Sequence, residues 1–217
     1  FFGRLEQLNE LKSSFHRGGL ALLSGEAGSG KTRLVYELYQ SIKPAPLLLA
    51  SSASSLGRTL PFQILSQIFR DNLVLGDRIT DPNWKRQVST LMPHTFREGT
   101  PYAHPQSLET PEEQFFLFED IHRYLLEMFE GEKVLIFLDN CQWLDDSSIE
   151  FLKYLLNKDF FQPARLLVLA SRPDTRKLEL EDWYGGLKHP SRVSLVTLTP
   201  LEMSSIGEMA AYMLGKA

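Results

Sequence analysis

The chain has 217 residues, and its composition, 43% hydrophobic and 23% charged, is typical of a globular protein. Its 27 acidic and 23 basic side chains give a formal net charge of −4, so charge alone predicts no nucleic-acid partner for this region. The longest apolar runs, such as residues 134–138, are strand-sized, which argues against a membrane span. The single cysteine excludes an internal disulfide and favours a cytoplasmic location. Because the chain starts at Phe1 rather than at a methionine, we expect a piece of a longer protein.

Hydrophobic spacing predicts amphipathic helices alternating with short buried strands along most of the chain. Residues 76–110 are the exception, because they contain four prolines and little periodicity, and we interpret them as an insertion within one domain spanning 1–217. In chain order the predicted elements are a helix ending at Gly18-Gly19, a strand at 20–23, a helix at 32–42, a strand at 47–50, helices at 60–75 and 110–130, a strand at 134–138, a helix after Ser147, strands at 166–170 and 192–198, and a helix at 201–214. This order predicts an α/β domain with a mostly parallel sheet.

Two of the predicted helices begin with residues that typically cap helices. Thr110 precedes a proline and two glutamates, a sequence typical of a helix that starts at residue 111. Ser147 and Glu150 form an S-x-x-E pattern, which predicts a capping box for the next helix. Asp145 is an alternative cap for that helix.

The strongest motif lies between the first strand and the helix that follows it. Residues 25–32, GEAGSGKT, match the G-x-x-x-x-G-K-T pattern of phosphate-binding loops, also called Walker A. In this pattern backbone N–H groups and a helix N-terminus surround the phosphates, the lysine reaches the terminal phosphates, and the threonine hydroxyl can ligate Mg²⁺. The residues predicted to contact the nucleotide are Gly25, Ala27, Gly28, Ser29, Gly30, Lys31, Thr32 and Arg33.

Two further candidates directly follow predicted strands. Asp139 comes after the strand at 134–138, where a carboxylate beside a phosphate loop can hold Mg²⁺ together with Thr32; a plain turn aspartate is the alternative. Arg172 follows the strand at 166–170 and fits either a γ-phosphate sensor or a surface charge, and spacing alone does not choose between them. Because ligands bind at the carboxyl ends of parallel strands, we expect Thr32, Asp139 and Arg172 to meet at one sheet edge.

Several segments together resemble one known family, the AAA-type ATPase domain of the signal-transduction ATPases with numerous domains. This family includes large ATP-binding regulators of the LuxR class and regulators fused to kinase or cyclase modules. The resemblance covers nearly the whole chain. The similar segments are FGRLEQL at 2–8, GEAGSGKTRL at 25–34, GRTLPF at 57–62, LDNCQWLD (the Walker B region) at 138–145, LASRP at 169–173 and LTPL at 198–201.

The resemblance implies a three-layer P-loop NTPase sandwich, with a five-stranded sheet of order 5-1-4-3-2 and helices on both faces. It implies ATP or ADP together with Mg²⁺ as cofactors. It also implies that Phe2, Gly3 and Arg4, within the N-terminal segment 1–19, contact the adenine, and that Arg172 senses the γ-phosphate. Members normally continue into a lid and effector modules, which are absent after residue 217 and are therefore expected partners from the same longer chain.

Asn140 departs from the family pattern, in which a second acid stands at this position. An amide can hydrogen-bond the attacking water but cannot take its proton, so the sequence predicts ATP binding and leaves hydrolysis open. Our first hypothesis is a Mg²⁺–ATP-binding regulatory switch domain with slow or conditional hydrolysis. Its catalytic candidates are Lys31, Asp139, Asn140 and Arg172.

The alternative is an AAA-type motor ATPase that loads or remodels a partner such as DNA. This hypothesis needs nucleotide-dependent self-association and an arginine that acts across subunits, for which Arg176 and Arg192 are weak candidates. A phosphotransferase is disfavoured, because no cluster of basic residues indicates a site for a second substrate.

Overall fold

The computed structural model describes residues 2–59, 61–71, 110–158, 160–173 and 192–214. Most of the insertion predicted at 76–110 and the end of the helix predicted at 60–75 lie outside these ranges. The described strands are β1 (Gly19–Gly25), β2 (Leu47–Ser52), β3 (Val134–Asp139), β4 (Arg165–Ser171) and β5 (Val193–Leu198). The described helices are α1 (Leu5–Arg17), α2 (Lys31–Ser41), α3 (Gln63–Asp71), α4 (Pro111–Met128), α5 (Asp146–Leu156) and α6 (Met203–Met213).

The strands form one parallel sheet whose order is β2-β3-β4-β1-β5. This order confirms the predicted 5-1-4-3-2 arrangement, counted from the opposite edge. β1 is paired on both sides, with Leu20 opposite Leu167 of β4 on one side and Val193 of β5 on the other. The carboxyl ends of β1, β3 and β4 therefore meet at the same edge of the sheet.

Alternating residues of the strands face two separate hydrophobic cores. Leu166 and Val168 of β4 pack with α1 and α2, whereas Leu167 and Leu169 pack with α3, α4 and α5. None of these side chains is more than 1% exposed, so β4 is covered on both faces. The two cores confirm the predicted three-layer sandwich, and the continuous apolar runs of the strands follow from burial on both sides.

The helix starts agree with the predictions at α4 and differ at α5. Thr110 caps α4 in a complete capping box, in which its hydroxyl accepts from Glu113 N and the Glu113 carboxylate accepts from Thr110 N. At α5 the cap is Asp145, whose side chain accepts from Ser148 N, so the capping box predicted at Ser147 is wrong and the alternative cap, Asp145, is confirmed. The helix begins at Asp146, so Ser147 lies inside its first turn. The Asp145 carboxylate, directly before the helix, therefore accepts the hydrogen bond from Ser148 N.

α6 is the most weakly buried of the described helices. It begins at Met203 instead of residue 201, and none of its side chains is buried. Across the described residues, no helix combines the length and the apolar character needed to cross a lipid bilayer.

Candidate functional site

The loop between β1 and α2 takes a shape that depends on its glycines. Gly28 and Gly30 have φ angles of +80° and +94°, a left-handed region that residues with a Cβ rarely adopt. A Cβ at either position would have no protein atom within 4 Å, so backbone conformation, and not crowding within the protein, requires glycine there. Gly25 differs, because a Cβ on it would lie 2.6 Å from Ser29 Oγ.

The N-terminus of α2 is open at this loop. Its N-cap is Gly30, which provides no side chain to cap the helix, so the first N–H groups of α2 lack a side-chain acceptor. The Ser29 hydroxyl is buried and has no hydrogen-bond partner. Uncapped helix N–H groups together with the positive end of the helix dipole form a site suited to anions.

Lys31 is folded back onto the loop that carries it. Its ammonium donates to Gly25 O at 2.8 Å and to Glu26 O at 3.0 Å. Desolvation by burial lowers the pKa of Lys31, and the nearby charge of Arg172 lowers it further, while Asp139 and Glu26 act in the opposite direction. The lysine therefore lies among the other charged groups at this edge of the sheet.

Thr32 and Asp139 are in direct contact across the sheet edge. Thr32 Oγ1 donates to Asp139 Oδ2 at 2.9 Å, and Asp139 Oδ1 accepts from Asn140 N at 2.8 Å. A hydroxyl and a carboxylate are the hard oxygen ligands that Mg²⁺ prefers. In the described ranges, no group of three or more His, Cys, Asp or Glu side chains could hold a metal ion. The pair thus fits an ion that completes its shell with phosphate oxygens and water.

Asn140 has an unusual backbone conformation and two side-chain contacts. Its φ and ψ of 54° and 40° are left-handed, a region in which asparagine is tolerated better than most residues. Asn140 Nδ2 donates to Ser52 Oγ at 2.9 Å, and Asn140 Oδ1 accepts from Gln142 Nε2 at 3.4 Å. Cys141, the next residue, is buried, and its burial and the charge of Asp139 raise the pKa of its thiol.

Three other acids near the motif, Asp145, Asp146 and Glu26, are not among the described residues that line the cavity. Asp145 is only 4% exposed, and its carboxylate accepts four hydrogen bonds, from Phe62 N, Gln63 N, Ser148 N and Ser148 Oγ. It joins the starts of α3 and α5 and has a structural role. Glu26 is exposed, and its described contact is made by its backbone carbonyl.

A cavity of about 320 Å³ lies above the carboxyl ends of β1, β3 and β4. Arg172 is exposed at its rim, just past the end of β4. Arg33 also lines the cavity, but its guanidinium pairs with Glu37 and lies over the Tyr36 ring at 5.6 Å. Every described lining residue was a predicted site residue, namely Ala27, Gly28, Gly30, Lys31, Thr32, Arg33, Asp139, Asn140 and Arg172.

The N-terminal segment is not among the residues that line this cavity. The Arg4 guanidinium is buried and donates to Thr199 O, and its burial lowers its pKa. The ring centroids of Phe2 and Tyr212 are 5.6 Å apart. Because Phe2 and Arg4 pack against residues that follow β5, the adenine contacts implied for 2–4 stay a prediction.

Ser52 was not among the sequence-predicted site residues, and Gln142 appeared only within the Walker B segment. Both contact Asn140, and Ser52 pairs in register with Asp139 at the end of the adjacent strand β2. The parallel alignment of the two strand ends was the signal that could have identified Ser52.

A family model described as an AAA ATPase domain matches residues 1–169, which is most of the chain. The chain belongs to this family. Membership confirms the AAA-type part of the resemblance and implies nucleotide binding, usually with Mg²⁺. No curated protein matches the sequence.

Solved structures share the fold of the AAA domain at low sequence identity. Cdc6p from Pyrobaculum aerophilum has a TM-score of 0.54 and 15% identity, over 95% of this chain and 48% of its own. Drosophila ORC, solved bound to DNA, has a TM-score of 0.50 and 16% identity, over 96% of this chain and 46% of its own. The AAA domain thus spans about half the length of these two chains.

A third solved structure belongs to a signal transduction ATPase with numerous domains that carries a tetratricopeptide repeat sensor, from Pyrococcus horikoshii. It has a TM-score of 0.48 and 15% identity, over 98% of this chain and 25% of its own.

Proposed function

We propose that this AAA domain is a Mg²⁺–ATP-binding regulatory switch within a larger signalling or transcription-regulatory protein, with slow or conditional hydrolysis. The observation that carries the proposal is the contact between Thr32 Oγ1 and Asp139 Oδ2 at 2.9 Å, beside the open N-terminus of α2. It brings the two magnesium-ligand candidates together at the cavity that Lys31 and Arg172 also line.

The phosphate loop and four of the side chains that line the cavity have distinct roles in the proposed binding of ATP. The loop's N–H groups and the ammonium of Lys31 hold the β- and γ-phosphates, once the lysine leaves the carbonyls of Gly25 and Glu26. Mg²⁺, held by Thr32 and Asp139, would neutralise phosphate charge when bound. Arg172 at the rim responds to the γ-phosphate, which distinguishes ATP from ADP.

The proposed slow hydrolysis follows from the acids of the site. Asp139 is the one carboxylate among the described residues that line the cavity, and it already accepts from Thr32 and Asn140. The next acid along the chain, Asp145, is saturated with four hydrogen bonds. Without a base beside the attacking water, catalysis by the protein is restricted to positioning and charge stabilisation.

The test compares ATP binding to the wild type and to Lys31→Ala by calorimetry in the presence of Mg²⁺. We expect the variant to lose most of its ATP affinity, on the order of 100-fold, because charge-assisted contacts to phosphate are among the strongest polar interactions. Lys43→Ala, exposed just beyond the other end of α2, is the matched control and should bind normally. Unchanged ATP affinity in a folded Lys31→Ala variant would contradict the proposal.

A motor ATPase that loads or remodels a partner such as DNA stays the second candidate, supported by the fold shared with Cdc6p and ORC. Arg176 lies outside the described residues. Arg192 donates to Phe161 O at 3.2 Å. It directly precedes β5, so it lies at the amino ends of the strands, opposite the phosphate loop. This position makes Arg192 a poor candidate for reaching a neighbouring subunit's nucleotide. Gel filtration with a nonhydrolysable ATP analogue discriminates, because a nucleotide-induced ring favours the motor.

A further inference from the structure

Arg33 lines the cavity, and the sequence predicts that it contacts the nucleotide, but its guanidinium already has partners within the protein. It lies in the first turn of α2, directly after Thr32. The guanidinium pairs with the carboxylate of Glu37, one turn further on, and lies 5.6 Å from the centroid of the Tyr36 ring. Side chains three and four positions apart are neighbours on a helix, so these three residues share one face of α2.

The order of these charges is unfavourable for the helix itself. The N-terminus of a helix carries partial positive charge, so acidic side chains stabilise the first turn and basic side chains do not. The first turn of α2 contains no acid, but it does contain Lys31 and Arg33. An i,i+4 ion pair also contributes more when its acid comes first along the chain, and in this pair the base comes first. Helix stability therefore does not explain the position of Arg33, whereas attraction of an anion to the cavity does.

The ion pair between Arg33 and Glu37 is weak enough to be exchanged for another partner. The Arg33 side chain is 65% exposed and that of Glu37 is 22% exposed, so water screens their attraction. The Tyr36 ring is 51% exposed and adds only the small cation–π energy of a surface site. A polyphosphate carries several negative charges, and a guanidinium can donate two parallel hydrogen bonds to one phosphate group. A phosphate in the cavity therefore competes effectively with the Glu37 carboxylate.

We propose that Glu37 competes with the bound nucleotide for Arg33, so that this ion pair sets the ATP affinity of the site. The inference rests on the proposed function and adds a regulatory residue that does not itself line the cavity. Glu37 holds the guanidinium until nucleotide binds. The guanidinium then leaves the carboxylate for a phosphate oxygen, and water solvates Glu37. Binding is weakened by the free energy needed to break the pair, and the pair forms again when the nucleotide leaves.

The experiment measures ATP affinity by calorimetry with Mg²⁺ for Glu37→Gln, Arg33→Ala and the double variant. Glutamine keeps the size of the side chain and removes its charge. We expect Glu37→Gln to bind ATP about 3-fold more tightly, which corresponds to the loss of one exposed ion pair. We expect Arg33→Ala to bind ATP about 10-fold less tightly, because a charge-assisted contact to phosphate is lost. In the Arg33→Ala background, Glu37→Gln should have no further effect, since Glu37 acts through Arg33.

Two controls separate this competition from other effects of the substitution. Glu150→Gln removes the same charge from an exposed ion pair with Lys153 on α5, outside the cavity lining, and should leave ATP affinity unchanged. Urea unfolding of Glu37→Gln should show the stability of the wild type or slightly less, because the ion pair is lost. Tighter ATP binding by a variant that is no more stable does not follow from a merely structural role of Glu37.

The outcomes distinguish this inference from the proposed function. If the wild type binds ATP and Glu37→Gln binds it equally well or less tightly, the competition is overturned and the switch proposal stands. Tighter binding that persists in the Arg33→Ala background would reflect the general loss of a negative charge, and it also overturns the competition. Absence of Mg²⁺-dependent ATP binding by the wild type overturns the switch proposal itself, and this inference with it.

Discussion

Strand β4 has an arginine at each end, and the two arginines are used in opposite ways. Arg165, at the start, is buried, donates to Phe129 O at 2.7 Å and to Phe160 O at 3.4 Å, and lies 5.4 Å from the Phe160 ring centroid. Arg172, just past the end, is exposed at the rim of the cavity. Burial distinguishes the arginine that lies within the core from the one that lines the cavity.

Asp139, the last residue of β3, and Asp145, six residues further on, differ in the same way. Asp145 is buried, and both of its oxygens accept from backbone N–H groups of two helix starts. Asp139 is half-buried, lines the cavity and shares one oxygen with Thr32. Residue type is therefore a poor guide to function here, and the number of bonds already made within the fold is a better one.

The largest effect on stability is expected at Asp145. Asp145→Ala removes the acceptor for Phe62 N, Gln63 N and Ser148 N, and we expect it to lower the free energy of unfolding by about 4 kcal/mol. Urea denaturation measures the change. Asp146→Ala, next to it and exposed, is the matched control and should cost less than about 1 kcal/mol. Equal costs for the two variants would remove the distinction between the aspartates.

Arg165 should show the second largest loss of stability. Arg165→Leu deletes the hydrogen bonds to Phe129 O and Phe160 O, and we expect a loss of about 2 kcal/mol, since each carbonyl keeps one backbone donor. Denaturant unfolding of Arg172→Ala provides the comparison, and a change within about 0.5 kcal/mol is expected for this exposed side chain. If Arg172→Ala destabilises the protein more than Arg165→Leu does, the assignment of the two arginines is wrong.

Arg172 should affect ligand selection more than stability. We expect Arg172→Ala to lower the affinity for ATP relative to ADP about 10-fold, or about 1.4 kcal/mol, because a charge-assisted contact to the γ-phosphate is lost. Calorimetry with both nucleotides and Mg²⁺ measures the ratio. Arg123→Ala, at an exposed position of α4, is the control. An unchanged ATP/ADP ratio in Arg172→Ala would favour a surface charge at this position.

The smallest effect is expected at an exposed ion pair. Lys158 Nζ donates to Glu119 Oε1 at 2.6 Å, and this bond, followed by one from the Tyr154 hydroxyl, lowers the pKa of Glu119. Glu119→Gln should cost less than about 1 kcal/mol at pH 7, because both side chains of the ion pair are partly exposed.

The pH dependence of that cost has a defined sign. Since the folded pKa of Glu119 lies below its unfolded value, the stabilisation is present above the unfolded pKa and is lost as pH falls through the folded pKa. The difference in unfolding free energy between wild type and Glu119→Gln should therefore shrink below about pH 4. A difference that persists at lower pH would mean that packing, and not charge, explains the effect.

Local patterns in the sequence were sufficient for most of the fold and for the centre of the site. The phosphate loop is a continuous motif, and the buried strands are short apolar runs, so both can be recognised without knowledge of distant contacts. Thr32, Asp139 and Arg172 meet because each follows or adjoins a strand of one parallel sheet. The strand order itself came from the family resemblance, since apolar runs do not specify which strands are neighbours.

What the sequence did not predict depends on contacts between distant segments. Phe62 and Gln63 donate to Asp145, and Ser52 contacts Asn140, in each case across more than eighty residues of chain. The capping box at Ser147 was predicted wrongly because S-x-x-E is a local pattern. The carboxylate of Asp145, the alternative cap, stands two residues earlier and also accepts from Phe62 N and Gln63 N, which are distant in the chain. Which residue caps a helix depends on three-dimensional contacts, and a short segment of sequence does not reveal them.

The position of β5 has a consequence for how the protein is synthesised. β1, which supports the phosphate loop, pairs with β4 on one side and with β5, at Val193–Leu198, on the other. A nascent chain must therefore reach Leu198 before the second edge of β1 is covered. Until then an apolar strand with unpaired backbone groups is exposed, which is the kind of surface that aggregates or recruits chaperones. Translation that pauses or stops before residue 193 would leave that edge of β1 without its partner strand.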